Sequence, residues 1–245
     1  RASLAETGGG EGVEVVKNEP FHNYPLFDGS VNSGQYTYKI YHLDSKVPSL
    51  VRMMFSKGAL QVHEEAWNAY PFCRTVLTNP DCMKDDFFIH VDSIHLADRG
   101  KTENAHNLSD EELEQREVVK INIADDDSEH LQQADLNAET SPSCFISEKT
   151  GRGPLQNGWA EEIEPVMCIY KLVKVHFKWW GLQRRVENFI HKTEGRLFSK
   201  FHREVFCWID DWFSLTMEEV KAVEDETQER MNLDRENGSV RGIKG

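Results

Sequence analysis

The sequence lacks a long apolar run, a cysteine pattern and an initiator Met. No apolar stretch reaches the roughly 20 residues of a membrane-spanning helix. Residues 1–7 lack the apolar core of a signal peptide, and the missing Met leads us to expect an incomplete N-terminus. Five scattered cysteines without a CxxC pair argue against a disulfide framework or a zinc site. We therefore expect a cytoplasmic protein with reduced thiols and no metal.

Basic residues are also scarce, since 28 Lys and Arg stand against 42 Asp and Glu and give a net charge of −14. Binding to nucleic acid requires clustered cations, so the charge argues against that partner. It also argues against steady electrostatic docking on anionic lipid. Membrane contact should therefore be brief and driven by inserted apolar groups.

Enzyme signatures are missing as well. The chain has no GxSxG elbow and no phosphate-binding GK[ST] loop, and His63-Glu64 does not continue to HExxH. Three consecutive aspartates, Asp125 to Asp127, fit a solvated acidic loop better than a metal site. The residues alone thus give no reason to predict catalysis.

The periodicity of apolar residues predicts mostly strands in the first 180 residues. A turn is predicted at 7–12, a loop at 18–34, a short apolar segment at 49–55, a short helix at 108–115 and a turn at 150–154. Residues 125–149 should form a mobile loop, acidic over 125–139. The predicted strands lie at 13–16, 35–43, 66–68, 73–77, 87–96, 118–123 and 167–179.

Beyond residue 181 the apolar spacing changes to steps of three and four, which predicts one long amphipathic helix with its stripe in the core. The stripe comprises Val186, Phe189, Ile190, Thr193, Leu197, Phe201, Val205, Trp208 and Trp212. Thr216 and Glu219 form a capping box that starts a last helix, and 235–245 is a polar tail. This order predicts an α+β fold, a curved and mostly antiparallel sheet wrapped on a helix, in one domain over residues 1–245.

Polar residues interrupt apolar rows on several predicted strands. Lys171 shares its row with Ile169, Val173, Val175 and Phe177. Ser93, Thr75 and the pair Thr37 and Lys39 interrupt other rows. A carboxylate partner or a wet sheet face would explain Lys171 alone. Their repetition indicates a cavity that is apolar over most of its wall and polar at one end, as a phospholipid requires.

Trp179 and Trp180 follow the last predicted strand. Adjacent strand residues point to opposite faces, so at least one ring should be exposed. Tryptophan favours the membrane–water boundary, but a buried core position is an equally open interpretation.

Long blocks of sequence between about residue 7 and residue 230 are those of a known family. They are NEPF (18–21), GQYTYKIYHL (34–43), SKVPS (45–49), EEAWNAYPFCRT (64–75), KTGRGPL (149–155), KWWGLQ (178–183), VENFIHK (186–192), FHREVFCWIDDW (201–212) and LTMEEV (215–220). In these blocks the chain resembles the phosphatidylinositol transfer proteins, in their single-domain class. The family's first strand and helix lack counterparts here, and the stretch 125–144 and the tail diverge.

The resemblance implies a START-like helix-grip fold, a concave sheet closed by helices around one lipid. It implies a monomeric, non-enzymatic carrier that exchanges phosphatidylinositol for phosphatidylcholine and has no cofactor other than the bound phospholipid. It also implies transient membrane contact and lipid kinases as partners. The rival functions are a lipid-modifying enzyme and a lipid sensor that presents a phosphoinositide precursor without transport.

By position, the resemblance also assigns site residues. Thr37, Lys39, Asn68 and Glu224 match contacts to the inositol ring, and Thr75, Ser93 and Lys171 match contacts to the phosphate. Cys73 and Phe201 match residues near the headgroup, and Trp179 and Trp180 match the membrane-docking pair. Ser147 matches a regulatory serine, although its neighbours differ and include Glu148.

Overall fold

The computed structural model describes residues 12–25, 31–43 and 60–237. The chain divides into two compact units. The first contains the chain up to Leu96, Ile169–Trp180 and the chain from Lys221 onward; the second contains Ala97–Cys168 and Gly181–Val220. The predicted apolar segment at 49–55 lies outside the described residues, and the single domain over 1–245 stays a prediction.

In the described part of the first unit, six strands form one open antiparallel sheet in chain order. The strands are β1 (Gly12–Pro25), β2 (Val31–His42), β3 (Gln61–Ala69), β4 (Phe72–Thr78), β5 (Phe87–Leu96) and β6 (Cys168–Phe177). Together with the helices described below, the sheet confirms the predicted α+β class.

The predicted loop at 18–34 is wrong over most of its length, because β1 continues to Pro25 and β2 already begins at Val31. Proline removes a donor from a sheet and is tolerated where a strand has one unpaired edge. Among the described strands, β1 lies at the edge of the sheet, which explains how Pro20 can lie within it. The pairing of β1 with β2 shifts between Val15 and Lys17. This bulge changes which residues of β1 share a face.

Gly34 is required by a close approach of two strands. A Cβ atom at this position would lie 2.0 Å from the carbonyl oxygen of Asn68 on β3. Only glycine can therefore stand here without displacing the backbone of β3. This contact lies beside the first pair of the β2–β3 register, Gln35 with Asn68.

The other strand predictions vary in accuracy. The prediction for β5 is correct at both ends, and those for β4 and β6 are correct to within two residues. β3 is longer than predicted, because charged residues at its centre hide the alternation. The predicted strand at 118–123 is wrong: these residues have no regular structure, and Val118 and Val119 are exposed.

Alternation along the strands gives the sheet two faces. The lysine face carries Thr37, Lys39, Tyr41, Glu64, Ala66, Asn68, Cys73, Thr75, Leu77, Ile89, Val91, Ser93 and Lys171. The tryptophan face carries the intervening residues Tyr36, Tyr38, Glu65, Trp67, Arg74, Val76, His90, Asp92, Leu172 and Lys174.

The described helices are α1 (Asp110–Gln115), α2 (Trp159–Glu162), α3 (Gln183–Cys207), α4 (Ile209–Trp212) and α5 (Met217–Asn237). The predicted short helix at 108–115 is confirmed as α1, and the predicted turn at 150–154 is irregular as expected. The predicted capping box is present at α5: Glu219 N donates to Thr216 Oγ1 at 3.2 Å, and Thr216 N donates to the Glu219 carboxylate at 2.8 Å. None of the described helices is both long and apolar enough to cross a bilayer.

The long predicted helix is interrupted at Trp208, whose backbone leaves the helical conformation between α3 and α4. The prediction that its whole apolar stripe is core is wrong as well. Phe189, Leu197 and Phe201 are about half exposed, while Ser199 and Arg203 are buried. Polar side chains that are buried on one side of α3 need polar partners. Those of Arg203 lie far away in the sequence.

These partners belong to the acidic loop. Arg203 donates to the carbonyl oxygens of Ile123 at 2.8 Å and Asp125 at 3.2 Å, and it pairs with the carboxylate of Asp126. Arg196 makes a bidentate pair with the buried carboxylate of Asp135, at 2.7 and 2.9 Å. Bidentate arginine pairs are both strong and directional. Two points of the predicted acidic loop are therefore bound to α3.

Candidate functional site

The first polar group on the lysine face surrounds Lys171. Its Nζ donates to Ser93 Oγ at 3.2 Å. Ser93 pairs in register with Cys73 on β4. Burial raises the pKa of the Cys73 thiol, while a hydrogen bond with Thr75 and the charge of Lys171 act in the opposite direction. We call these four residues the Lys171 cluster: Cys73, Thr75, Ser93 and Lys171.

The Lys171 cluster adjoins a buried apolar row on the same face. Ile89, Val91 and Phe177 are all less than a tenth exposed, and Ser93 itself is only 4% exposed. The rings of Phe87 and Phe177 meet edge to face with centroids 6.3 Å apart. An ammonium and two hydroxyls beside such a row give a site that can bind an anion next to apolar chains.

The second polar group surrounds Lys39, which pairs in register with Glu64 on β3. Lys39 Nζ lies 2.9 Å from Glu64 Oε1, and the Tyr41 hydroxyl donates to Glu64 Oε2 at 2.7 Å. Burial, and then the charge of Glu64, raise the pKa of the Tyr41 phenol. The phenol is thus a neutral donor at neutral pH. We call Lys39, Tyr41 and Glu64 the Lys39 cluster.

A row of side-chain amides leads from the Lys39 cluster to α5. Asn18 Nδ2 donates to Glu224 Oε2 at 3.3 Å, and Gln35 Nε2 donates to Asn18 Oδ1 at 2.6 Å. Asn18 pairs in register with Thr37, and Gln35 pairs with Asn68. Hydroxyl, amide, carboxylate and ammonium groups therefore line one region of the lysine face, as a ring of hydroxyls would require.

The structure thus brings the four predicted inositol residues, Thr37, Lys39, Asn68 and Glu224, to neighbouring positions of one unit. It likewise brings Thr75, Ser93 and Lys171 together with Cys73. Sequence reasoning missed Asn18, Gln35 and Glu64. The signal for Gln35 is its alternation with Thr37 and Lys39 in the block GQYTYKIYHL. The signal for Asn18 is only its place in the block NEPF, because the β1 bulge conceals its face.

The tryptophan face differs in its chemistry. It has a concavity of about 380 Å³, bordered by Tyr24, Trp67, Arg74, Asp92 and Lys174 among others. Arg74 pairs with Asp92 through two hydrogen bonds of 2.8 and 3.0 Å, and the rings of Tyr24 and Trp67 stack with centroids 4.9 Å apart. This concavity is not the predicted lipid cavity, because its walls come from the face opposite Lys171.

The two tryptophans after β6 are both exposed, Trp179 by 39% and Trp180 by 96%. Gly181 follows with a φ of +75°, which glycine adopts without strain and which turns the chain toward α3. The prediction that at least one ring is exposed is confirmed. Membrane docking by the pair stays a prediction.

Two predicted residues lie in the second unit. Phe201 is about half exposed on α3. Ser147 is almost fully buried, donates its hydroxyl hydrogen bond to Asp210 and accepts one from the Thr150 hydroxyl at 2.7 Å. The backbone N–H groups of Glu148 and Lys149 also donate to Asp210, and the Ser147 bond is the largest cause that lowers the pKa of the Asp210 carboxyl. Phosphorylation of Ser147 would require this loop to leave Asp210 first.

The fold and the site define a class of α+β protein in which one face of an open antiparallel sheet carries two lysine-centred polar clusters. Residues 1–229 match the family described as phosphatidylinositol transfer protein. The chain is 52% identical to the phosphatidylinositol transfer protein beta isoform of Homo sapiens, over 98% of this chain and 88% of that protein.

Two relatives from Dictyostelium discoideum are more distant. Phosphatidylinositol transfer protein 1 is 44% identical over 94% of this chain and 84% of its own length. Phosphatidylinositol transfer protein 5 is 41% identical over 94% of this chain and 76% of its own length. The chain therefore belongs to the phosphatidylinositol transfer protein family, a family of lipid carriers rather than enzymes, and the resemblance seen in the sequence blocks is confirmed.

Proposed function

We propose that this protein binds one molecule of phosphatidylinositol or phosphatidylcholine and exchanges it between membranes. Family membership supports a phospholipid transfer function. The observation that carries the proposal is the hydrogen bond from Lys171 to the buried Ser93, next to an apolar row on the same sheet face.

The Lys171 cluster suits the phosphate that both lipids share. Hydrogen bonds between an ionised donor and an ionised acceptor are about twice as strong as neutral ones. Lys171 supplies the charge, and Ser93 and Thr75 supply hydroxyl donors. The buried apolar row beside them suits acyl chains, whose burial contributes about 0.8 kcal/mol per CH₂ group. The enclosed cavity that would complete this environment stays a prediction.

The Lys39 region suits the headgroup that distinguishes the two lipids. Inositol hydroxyls both donate and accept hydrogen bonds, and Thr37, Asn68, Lys39 and Glu224 supply complementary groups. Choline has no hydroxyl to meet them. Loss of one of these contacts should thus weaken phosphatidylinositol more than phosphatidylcholine.

Membrane contact in this proposal is brief and is made by Trp179 and Trp180. The indole ring of Trp180 is almost fully exposed to water, and tryptophan rings are favoured at the bilayer interface. Replacing both with alanine should slow transfer from vesicles and leave the amount of co-purifying lipid unchanged. Unchanged transfer by this double variant would reject docking at the pair.

The remaining parts of the proposal concern the oligomeric state, the cofactor requirement, the partners and the regulation of the carrier. It acts as a monomer, leaves the lipid chemically unchanged and uses no cofactor apart from the lipid itself. Phe201 borders the headgroup, lipid kinases receive the delivered phosphatidylinositol, and the loop at Ser147 is a regulatory segment.

A two-vesicle assay with the full-length protein tests the proposal. Donor vesicles carry labelled phosphatidylinositol or labelled phosphatidylcholine, and mass spectrometry identifies the lipid that co-purifies. We expect one unchanged phospholipid per protein and transfer of both labels. Bound lipid without transfer would instead establish a sensor, and chemically altered lipid would establish an enzyme.

A further inference from the structure

Glu64 is the acidic member of the Lys39 cluster, and neither oxygen of its carboxylate points into empty space. One oxygen lies 2.9 Å from Lys39 Nζ and the other accepts from the Tyr41 hydroxyl at 2.7 Å. Lys39 and Tyr41 are alternate residues of β2, so both point to the lysine face, and Glu64 lies directly across from Lys39 on β3. One carboxylate therefore spans two same-face side chains of the neighbouring strand.

The pair is also partly withdrawn from solvent, with side-chain exposures of 31% for Lys39 and 14% for Glu64. Two partners on a regular strand fix the carboxylate, whereas surface ion pairs are loosely held and screened. The Tyr41 phenol remains a hydrogen-bond donor, because its burial and the nearby carboxylate oppose ionisation. The position of the Lys39 ammonium is thus defined by Glu64.

The pair changes what Lys39 can recognise. An ammonium has three N–H donors, and the contact with Glu64 accounts for one. Its charge, however, is offset by a carboxylate at contact distance. Glu224, which accepts a hydrogen bond from Asn18, adds a second carboxylate to the same region. Among the described residues, this region therefore provides directional donors and acceptors, and the positive charge of Lys39 is balanced by a carboxylate.

We propose that Glu64, through Lys39, is a positioning and specificity residue that makes this region accept an uncharged polyol headgroup and reject an inositol ring that carries a phosphomonoester. A phosphomonoester carries a charge of roughly −1.5 to −2 at pH 7 and needs clustered cations as partners. In this region the phosphomonoester would meet the carboxylates of Glu64 and Glu224 at the position where it needs cations. This inference rests on the proposed function, because it assumes that the headgroup lies at the Lys39 cluster.

Glu64→Gln tests the inference, because the amide keeps the size of the side chain and removes its charge. The readout is the ratio of phosphatidylinositol 4-phosphate to phosphatidylinositol captured from vesicles that contain both lipids and phosphatidylcholine. We expect this ratio to rise about fivefold, as loss of one like charge at a half-buried site would cause. Because Glu224 remains, the rejection should be weakened rather than lost.

Three further variants separate charge from structure. Glu65→Gln removes the same charge one residue along, on the tryptophan face, and should leave the ratio unchanged. Tyr41→Phe removes a hydrogen bond to Glu64 but no charge, so it should lower the capture of both inositol lipids to the same degree and leave their ratio unchanged. Glu64→Asp keeps the charge and should keep the rejection.

The outcomes distinguish this inference from the function on which it rests. If the parent protein captures neither phosphatidylinositol nor phosphatidylcholine, the proposed function fails. If it captures both, but Glu64→Gln leaves the ratio at the parent value or Glu65→Gln raises it equally, only the role of Glu64 is rejected. Thermal unfolding of each variant verifies that the comparison is made between folded proteins.

Discussion

The two faces of the sheet are made from the same strands, and a step of one residue separates them. On the tryptophan face, Arg74 and Asp92 neutralise each other through two hydrogen bonds, and the rings of Tyr24 and Trp67 stack. On the lysine face, Lys171 donates to the Ser93 hydroxyl at 3.2 Å, beside a buried apolar row. The first arrangement joins two opposite charges, whereas the second places an ammonium and a hydroxyl next to apolar side chains, as the phosphate and acyl chains of a lipid require.

The comparison teaches that charge alone does not mark a binding surface. Lys174 and Lys171 belong to the same strand, but only Lys171 adjoins the buried row of Ile89 and Val91. A phospholipid needs both the cation and the apolar wall. The same substitution can therefore be made on either face of one strand. The two variants then have the same composition and net charge, so a difference between them reports the face.

Lys171→Met should have the largest effect. Loss of the cation at the phosphate should lower transfer of phosphatidylinositol and phosphatidylcholine alike by about tenfold or more, since a hydrogen bond to a charged group contributes roughly 1.5–3 kcal/mol. The measurement is the rate of labelled-lipid transfer between vesicles. The matched control is Lys174→Met, on the tryptophan face of β6, which should stay within about twofold of the parent rate.

An equal loss in the two variants would mean that the strand, and not the face, determines transfer. A loss confined to one lipid would also contradict a role at the shared phosphate. Because methionine preserves the aliphatic length of lysine, a difference between the variants reports the charge and its hydrogen bonds.

Lys39→Ala should have a smaller and more selective effect. It removes donors from the region predicted to read inositol, so phosphatidylinositol transfer should fall about fivefold while phosphatidylcholine transfer changes little. The same assay with two labels gives the ratio directly. Tyr38→Phe, the neighbouring residue on the tryptophan face, removes its hydrogen bond to His63 and should not alter the ratio; parallel losses of both lipids in Lys39→Ala would reject the selective role.

The lysine face could be predicted from the sequence where alternation is regular. β5 and β6 have clear apolar rows, so Ser93 and Lys171 were placed on the correct side from their spacing alone. The role of Glu64 could not be predicted in this way. Its partner lies 25 residues away on another strand, and only the register of β2 with β3 shows that the two residues face each other.

Other parts could not be predicted for different physical reasons. The bulge at Val16 adds one residue to β1, so alternation counted from Val13 gives the wrong face for Asn18. On α3, periodicity predicts that Phe201 lies in the core. In the structure Arg203 is buried instead, because it donates to the carbonyl oxygens of Ile123 and Asp125. Such long-range polar pairs leave no local pattern.

Arg74→Met should affect stability and not transfer. The Arg74–Asp92 pair is partly buried, with side-chain exposures of 27% and 18%. Removing one partner should lower the free energy of unfolding by about 1 kcal/mol and leave Asp92 without its bidentate contact. Urea unfolding gives the change in stability, and vesicle transfer by the folded variant should stay within about twofold of the parent. A selective loss of transfer at unchanged stability would show that the tryptophan face takes part in lipid binding.

The smallest expected effect concerns Cys73, which reports the charge of Lys171 on its own face. Burial raises the pKa of this thiol and the charge of Lys171 lowers it. Alkylation requires the thiolate, so the rate rises with pH, and its midpoint should lie above that of an ordinary exposed cysteine. Lys171→Met should move the midpoint slightly higher still, whereas Lys174→Met should not move it.

Mass spectrometry of iodoacetamide adducts across pH 7–10 would follow Cys73 beside the exposed Cys82 as an internal reference. The midpoint is the proper readout, because lipid loss changes access and therefore the absolute rate. A midpoint that falls in Lys171→Met, or moves equally in both variants, would contradict the placement of Lys171 next to Cys73.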